Sequence, residues 1–230
     1  MPRDVGVVLV AAGRSLRLGG NTPKQFRPIA GVPMVLRALR PFASHPEVAQ
    51  VVLVLPADAA AAPPEFLRSL GSGLTLVAGG ETRAESVAAG IEALGPSCVT
   101  VLVHDAARPF VARAVIDAVI AHARAGEGAV AAVRVSDTVK EAAPGDPSRV
   151  GRTVPRDGLW RAQTPQGFPR PVLERAHREA GPDRAAATDD AALVERLGVP
   201  VRLVPDSPFN LKITTADDLA LAERIARDDT

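Results

Sequence analysis

Short, predominantly apolar runs recur at residues 5–10, 51–55, 74–78 and 99–103, and they constrain this chain more than any other feature. A run of five or six apolar residues is too short for an ordinary helix. Continuous rather than alternating hydrophobicity predicts strands covered on both faces, as in the middle of a parallel sheet. The intervening segments read differently. Pro33 followed by Met34, Val35, Leu36, Ala38, Leu39 and Phe42 has helical spacing with proline in the first turn. A short helix is expected over 64–70, and Ser86, Val87, Gly90, Ile91 and Leu94 mark an amphipathic one. Strand and helix therefore alternate, which calls for an α/β fold: a Rossmann-like, mostly parallel sheet wrapped by helices with right-handed crossovers.

The second half continues with a helix over 111–124 and a strand over 128–135, and then the texture changes. Between Ser136 and Trp160 the chain alternates or breaks, with Pro144-Gly145-Asp146-Pro147 as a turn. An extended β-arm at about 136–160 is expected. Because a two-stranded hairpin is marginal alone, such an arm is expected to pack on a partner subunit. Helices follow at 171–179 and 188–197, strands at 201–204 and 211–213, and a closing helix at 215–227 with Thr215 as its N-cap. No linker divides the chain, so residues 1–230 are read as one domain.

Composition removes several function classes. Net charge is +1, aromatic residues are 3% and tyrosine is absent, which argues against nucleic-acid binding. No apolar run approaches the ~20 residues that span a bilayer, and Met1-Pro2-Arg3-Asp4 lacks a secretory pattern, so a cytoplasmic protein without membrane contact is expected. Cys98 stands alone and reads as a small buried hydrophobe. Of 27 basic residues only Lys24, Lys140 and Lys212 are lysine. In so arginine-rich a sequence, lysine marks positions where a compact ammonium is required.

The first strand runs into Ala11-Ala12-Gly13, followed by Arg14, Arg17 and Lys24. Small residues admit close approach to the backbone, and the cations suit a polyphosphate. Neither the Gly-Lys-Ser/Thr of a P-loop nor the three-glycine dinucleotide fingerprint is present. Two further motif-like loops close strands: Gly79-Gly80-Glu81-Thr82-Arg83 and His104-Asp105-Ala106-Ala107-Arg108-Pro109. In open α/β sheets ligands gather at the carboxyl ends of strands, so all three loops are expected at one edge.

The opening loop with Pro23-Lys24-Gln25 resembles that of nucleotidyltransferases. An ordered series of further motifs narrows the likeness: Gly79-Gly80 with Arg83 and Ser86, then residues 104–109, Asp137-Thr138, Arg156-Asp157-Gly158-Leu159-Trp160, Thr164-Pro165-Gln166, Thr188-Asp189-Asp190 and Asn210-Leu211-Lys212. Over essentially its whole length the chain resembles the 2-C-methyl-D-erythritol 4-phosphate cytidylyltransferase family. The resemblance implies transfer of a cytidylyl group from CTP to methylerythritol phosphate. It implies Arg17 and Lys24 as stabilisers of charge at the α-phosphate, and Arg156 and Lys212 as the groups that place the attacking phosphate. It further implies CTP contacts at Ala11, Ala12, Gly13, Lys24, Gly79, Gly80, Glu81, Ser86, Asp105 and Ala106. Contacts to the second substrate fall at Asp105, Arg108, Thr138, Arg156, Thr164, Thr188 and Lys212, with Asp105 holding Mg²⁺.

The same resemblance implies a homodimer in which Arg156 crosses to the neighbour's site. Two positions depart from the pattern: Ser15 replaces a glycine and Glu81 an aspartate. Arg14 has no counterpart and is read as surface, and His104 as a packed histidine. Thr188 precedes Asp189-Asp190 and an apolar run, which equally describes a helix cap. Two other activities fit most of the motifs: cytidylyl transfer to ribitol phosphate, and a catalytically idle nucleotide-binding module.

Overall fold

The computed structural model describes residues 2–13, 22–70, 73–181 and 186–228. Arg14, Ser15 and Arg17 lie outside these described residues. A seven-stranded sheet runs through the molecule in the order β11-β7-β10-β6-β1-β4-β5. Its strands are β1 (Val5–Val10), β4 (Val48–Leu55), β5 (Leu74–Ala78), β6 (Thr100–Asp105), β7 (Gly128–Arg134), β10 (Trp160–Pro169) and β11 (Val201–Pro205). Two small antiparallel pairs stand apart: β2 (Pro28–Ile29) with β3 (Val32–Pro33), and β8 (Val139–Ala143) with β9 (Asp146–Val154).

β1 lies between β4 and β6 and is parallel to both. Side chains of a strand alternate between faces, and here each face has its own helices. Val7 and Leu9 join Leu53 and Leu102 in a core with helices α1 (Met34–Ala43) and α5 (Arg113–Arg124). Val8 joins Val52, Val101 and Val103 in a second core with α4 (Arg83–Glu92), α6 (Arg170–Glu179) and α7 (Asp190–Glu195). Both faces of β1, β4 and β6 are thus covered, which is why their sequences are apolar without alternation, while β5 at the sheet edge is half-buried. The closing helix α8 (Ala216–Asp228) packs on Ile29, Met34 and Ile213, and Thr215 Oγ1 accepts from the Asp218 N–H at 3.2 Å.

Several sequence expectations change. The helix expected over 64–70 is present but shorter, α3 (Glu65–Arg68), and an unexpected one, α2 (Ala57–Ala61), precedes it. The strand expected over 211–213 is absent: Ile213 makes one backbone bond, to the Ala107 carbonyl at 2.9 Å, and the segment is otherwise irregular. Pro33 ends β3 as the N-cap of α1 rather than entering its first turn.

The largest omission is β10, which runs antiparallel between β6 and β7. Its sequence, Trp160-Arg161-Ala162-Gln163-Thr164-Pro165-Gln166-Gly167-Phe168-Pro169, looks nothing like a buried strand. Gln163, Thr164 and Gln166 are nevertheless buried. Proline lacks a donor for the ladder and is tolerated at irregularities, and Pro165 falls in the register shift between Ala162 and Gln166.

Candidate active site

The backbone ladder explains how remote loops meet. Ala11 N–H donates to the Val54 carbonyl at 2.8 Å, Ala106 N–H to Val10 at 3.0 Å, and Gly79 N–H to Leu55 at 2.8 Å. The segments leaving β1, β5 and β6 are therefore stitched side by side at one sheet edge. A cavity of about 430 Å³ opens there. Its walls include Ala11, Ala12, Gly13, Lys24, Gly79, Gly80, Glu81, Ser86, Asp105, Ala106 and Lys212, all singled out from the sequence.

Small residues are required where the loops touch. A Cβ on Gly79 would lie 2.5 Å from that of Ala12 and 2.6 Å from Ser86 Oγ, far inside contact distance. Ser86 is itself fixed, its hydroxyl donating to the Thr82 carbonyl at 3.0 Å. Thr82 caps α4 in a reciprocal box with Glu85, so the loop after β5 passes directly into a well-set helix start.

Asp105 ends β6 and is 7% exposed. Lys212 Nζ lies 2.8 Å from its Oδ2, Arg83 Nε 3.5 Å from its Oδ1, and Arg108 Nε 3.9 Å from Oδ2. Burial alone would raise this carboxyl, but the charges of Arg83, Lys212 and Arg108 outweigh it and hold it well below the usual carboxylate range. Lysine, arginine and aspartate thus form a charged floor that stays ionised at neutral pH.

Arg83 is the main residue that sequence reasoning left without a role. Besides Asp105 it bonds Asp190, with Nη1 to Oδ2 at 2.8 Å. Burial would lower this guanidinium, yet Asp190 and Asp105 together raise it. Its place directly after the Gly79-Gly80 loop was the available signal. Gln25 was also missed; it is buried on the cavity wall, and its amide nitrogen has no partner among the described residues.

Several expected substrate contacts lie elsewhere. Thr164 is buried, and its Oγ1 accepts from the Asp105 N–H at 3.0 Å while contacting His104 Nδ1 at 3.0 Å. His104 Nε2 donates to the Arg108 carbonyl at 2.9 Å, which leaves Nδ1 to accept from Thr164. Burial pushes His104 down to about 4, so the ring is neutral and packed, as its sequence context suggested. In this structure the Thr164 hydroxyl supports Asp105 and does not line the cavity. Thr164→Val is expected to cost about 1–3 kcal/mol, because it strands the buried Asp105 N–H; thermal unfolding measures this, and an unchanged melting temperature would remove the bridge as a stabilising element.

Arg108 is also outside the cavity lining, its Nη1 donating to the Asn210 carbonyl at 2.8 Å. Asn210 is fully buried and donates to the Thr164 carbonyl at 2.8 Å, so the segment that carries Lys212 is pinned to β10. Thr188 is exposed, and Asp189 rather than Thr188 caps α7, accepting from the Ala192 N–H at 2.9 Å. Thr138 and Arg156 are exposed at the base of the β8–β9 hairpin and do not reach this cavity within one chain. The Arg156 guanidinium bonds the Ser136 carbonyl, and the Arg156 carbonyl accepts from the Leu159 N–H at 2.9 Å across a turn in which Gly158 takes φ +84°.

The donor set can be tested for a divalent cation. Mg²⁺ binds through one or two carboxylates, waters and substrate phosphates, and Asp105 offers one hard carboxylate on the cavity wall. The residues fit. A second grouping, His45, Glu47 and Asp117, has potential ligand atoms within 4.8 Å of one another. It sits at the amino end of β4, the opposite sheet edge, with His45 Nε2 bonded to Asp117 at 2.8 Å and Glu47 paired with Arg124. Those atoms are already engaged, with one another and with Arg113 and Arg124, and none of the three residues lines the cavity.

Comparison with known proteins finds relatives over nearly the whole chain. The family model described as IspD, 2-C-methyl-D-erythritol 4-phosphate cytidylyltransferase, matches residues 5–228. A relative of that name from Salinibacter ruber is 46% identical over 223 residues, covering 96% of this chain and 92% of the relative. Another from Streptomyces coelicolor is 44% identical, covering 97% and 85%. The crystal structure of the Thermus thermophilus enzyme of the same name superimposes with a TM-score of 0.81 at 38% identity, covering 97% of this chain and 99% of that one.

Proposed function

This chain belongs to the 2-C-methyl-D-erythritol 4-phosphate cytidylyltransferase family and transfers a cytidylyl group from CTP to that polyol phosphate in non-mevalonate isoprenoid synthesis, and from this premise we propose which residues carry the reaction. An oxygen of the substrate phosphate attacks the α-phosphorus of CTP; the new P–O bond forms as the bond to the β-phosphate bridging oxygen breaks, and pyrophosphate leaves with the electron pair. A phosphate monoester is largely ionised near neutral pH, so no protein base is needed. Catalysis then consists of positioning and charge stabilisation.

The observation that carries this assignment is the convergence of Lys24, Lys212 and Asp105 on one cavity at the carboxyl edge of β1, β5 and β6. Lys24 faces charge that builds on the α-phosphate and leaving group, a role shared with Arg17. Gly79, Gly80, Glu81 and Ser86, with the backbone of residues 11–13 and Ala106, form the nucleotide pocket. Asp105 would hold Mg²⁺, whose contribution when bound is to neutralise triphosphate charge. Lys212 orients the attacking phosphate.

Arg156, Thr138, Thr188 and Arg108 complete the second-substrate region in our reading, with Arg156, and Thr138 beside it on the arm, supplied by a partner. The β8–β9 hairpin supports this, since among the described residues it pairs with no other strand and leaves Val150 62% exposed. A homodimer joined through these arms buries that surface and brings Arg156 to the neighbour's cavity. Heterodimers of Arg156→Ala and Lys24→Ala subunits are expected to regain about a quarter to a half of wild-type activity per dimer, because one of the two shared sites is intact. No rescue in verified heterodimers would confine each site to one chain.

No helix among the described residues is long and apolar enough to cross a membrane, and a cytoplasmic location fits the substrates. The assignment is tested by assaying pyrophosphate release from CTP with methylerythritol phosphate and with ribitol phosphate in parallel. Turnover with the former is expected. Preference for ribitol phosphate would overturn the substrate, and no release with either would make the chain an idle nucleotide-binding module.

A further inference from the structure

Asp190 is 1% exposed, lies outside the cavity lining and carries a charge that packing does not require. Such burial is costly unless the carboxylate is well paired. Two side chains hold the carboxylate, and a third contact holds the backbone of the same residue. His177 Nε2 lies 3.0 Å from Oδ1, Arg83 Nη1 2.8 Å from Oδ2, and the Asp190 N–H donates to Gln166 Oε1 at 3.2 Å. Gln166 also accepts from the Ala191 N–H at 3.0 Å and donates to Asp189 at 2.9 Å, so the first turn of α7 is rigidly seated.

Arg83 therefore stands between two carboxylates, and the contacts are unequal. Its 2.8 Å bond to Asp190 has the length of a strong charge-assisted hydrogen bond, whereas 3.5 Å to Asp105 Oδ1 is a loose one. The other Asp105 oxygen is occupied by Lys212 at 2.8 Å, with Arg108 at 3.9 Å. Oδ1 is thus the less engaged oxygen of the carboxylate that faces the nucleotide.

We propose that Asp190 is a positioning residue: it draws the Arg83 guanidinium off Asp105 Oδ1 and so keeps that oxygen open to a divalent cation. Without the Asp190 charge, Asp105 is the one carboxylate left beside Arg83 among the described contacts, and the guanidinium closes onto Oδ1. The inference rests on Asp105 as the metal ligand, and adds that metal affinity is set from α7, a helix that does not itself touch the ion.

The test uses Mn²⁺ and CTP without the second substrate, read by water-proton relaxation, which separates protein-held Mn²⁺–CTP from the complex free in solution. Asp190→Asn, similar in shape but uncharged, is expected to weaken protein-held Mn²⁺–CTP about tenfold. Arg83→Gln removes the competing cation, and the double variant is expected to match Arg83→Gln rather than Asp190→Asn. A folded Asp190→Asn protein with unchanged affinity, or a double variant as weak as Asp190→Asn, overturns the proposal. Should Asp190→Asn not fold, a crystal structure of the unmodified protein with Mn²⁺ and CTP decides: Arg83 on Asp190 with Oδ1 at the metal is expected, and Arg83 lying on Asp105 instead overturns it. Asp105→Ala separates the two levels. If it leaves Mn²⁺–CTP binding intact, the metal assignment itself fails; if it abolishes binding while Asp190→Asn does not alter it, the positioning role alone fails.

Discussion

Lys24→Ala is expected to lower kcat by about 10²- to 10³-fold, the usual effect of removing one preorganised group that stabilises transition-state charge. KM for CTP should change much less. Lys24 begins a short 3-10 turn, Lys24–Phe26, immediately after Pro23, and lines the cavity. Among the described residues its ammonium is one of three lining cations, with Arg83 and Lys212, against the carboxylates of Glu81 and Asp105. Steady-state kinetics with pyrophosphate detection measures the effect; a fall smaller than about threefold would assign the α-phosphate charge to other groups.

Asp105→Ala is expected to lower kcat/KM for CTP by about 10²-fold or more and to flatten the response to added Mg²⁺. Two effects combine. The ligand for the cation is lost, and Lys212, Arg83 and Arg108 then face one another without the anion that now lies within 4 Å of each. Lys212 loses its fixed position and Arg83 keeps only Asp190. An Mg²⁺ titration of the variant that superimposes on that of the parent after scaling would remove Asp105 from the metal site. Thermal unfolding of the same sample separates this from a general loss of fold.

The positions of the four apolar strands in the first half and the convergence of three loops were readable because both depend on local chemistry. Apolar runs mark doubly covered strands, and small or charged residues mark the loops that leave them. The lysine argument also holds in part: Lys24 and Lys212 both line the cavity, while Lys140 is on the arm and bonds Thr153 at 2.7 Å. Long-range pairing among polar groups could not be read. Arg83 and Asp190 are 107 residues apart, and nothing around either announces the other. β10 was hidden for a related reason. Its buried glutamines and threonine are compensated by partners on β6, α7 and the 206–214 segment, so its hydrophobic pattern carries no signal. Thr164, expected near substrate, bonds the backbone of Asp105, a contact that its sequence context does not announce.

The insertion of β10 between β6 and β7 also bears on how the chain is made. β5, β4, β1 and β6 exist once residue 105 has left the ribosome, and they form four adjacent strands of the final sheet. The outer side of β6 then exposes unpaired backbone until residues 160–169 arrive to cover it. An open, apolar strand edge is a template for pairing with other chains. A product truncated before residue 160 retains that edge permanently, so premature termination anywhere in the arm yields a fragment with most of the nucleotide pocket and a built-in tendency to aggregate.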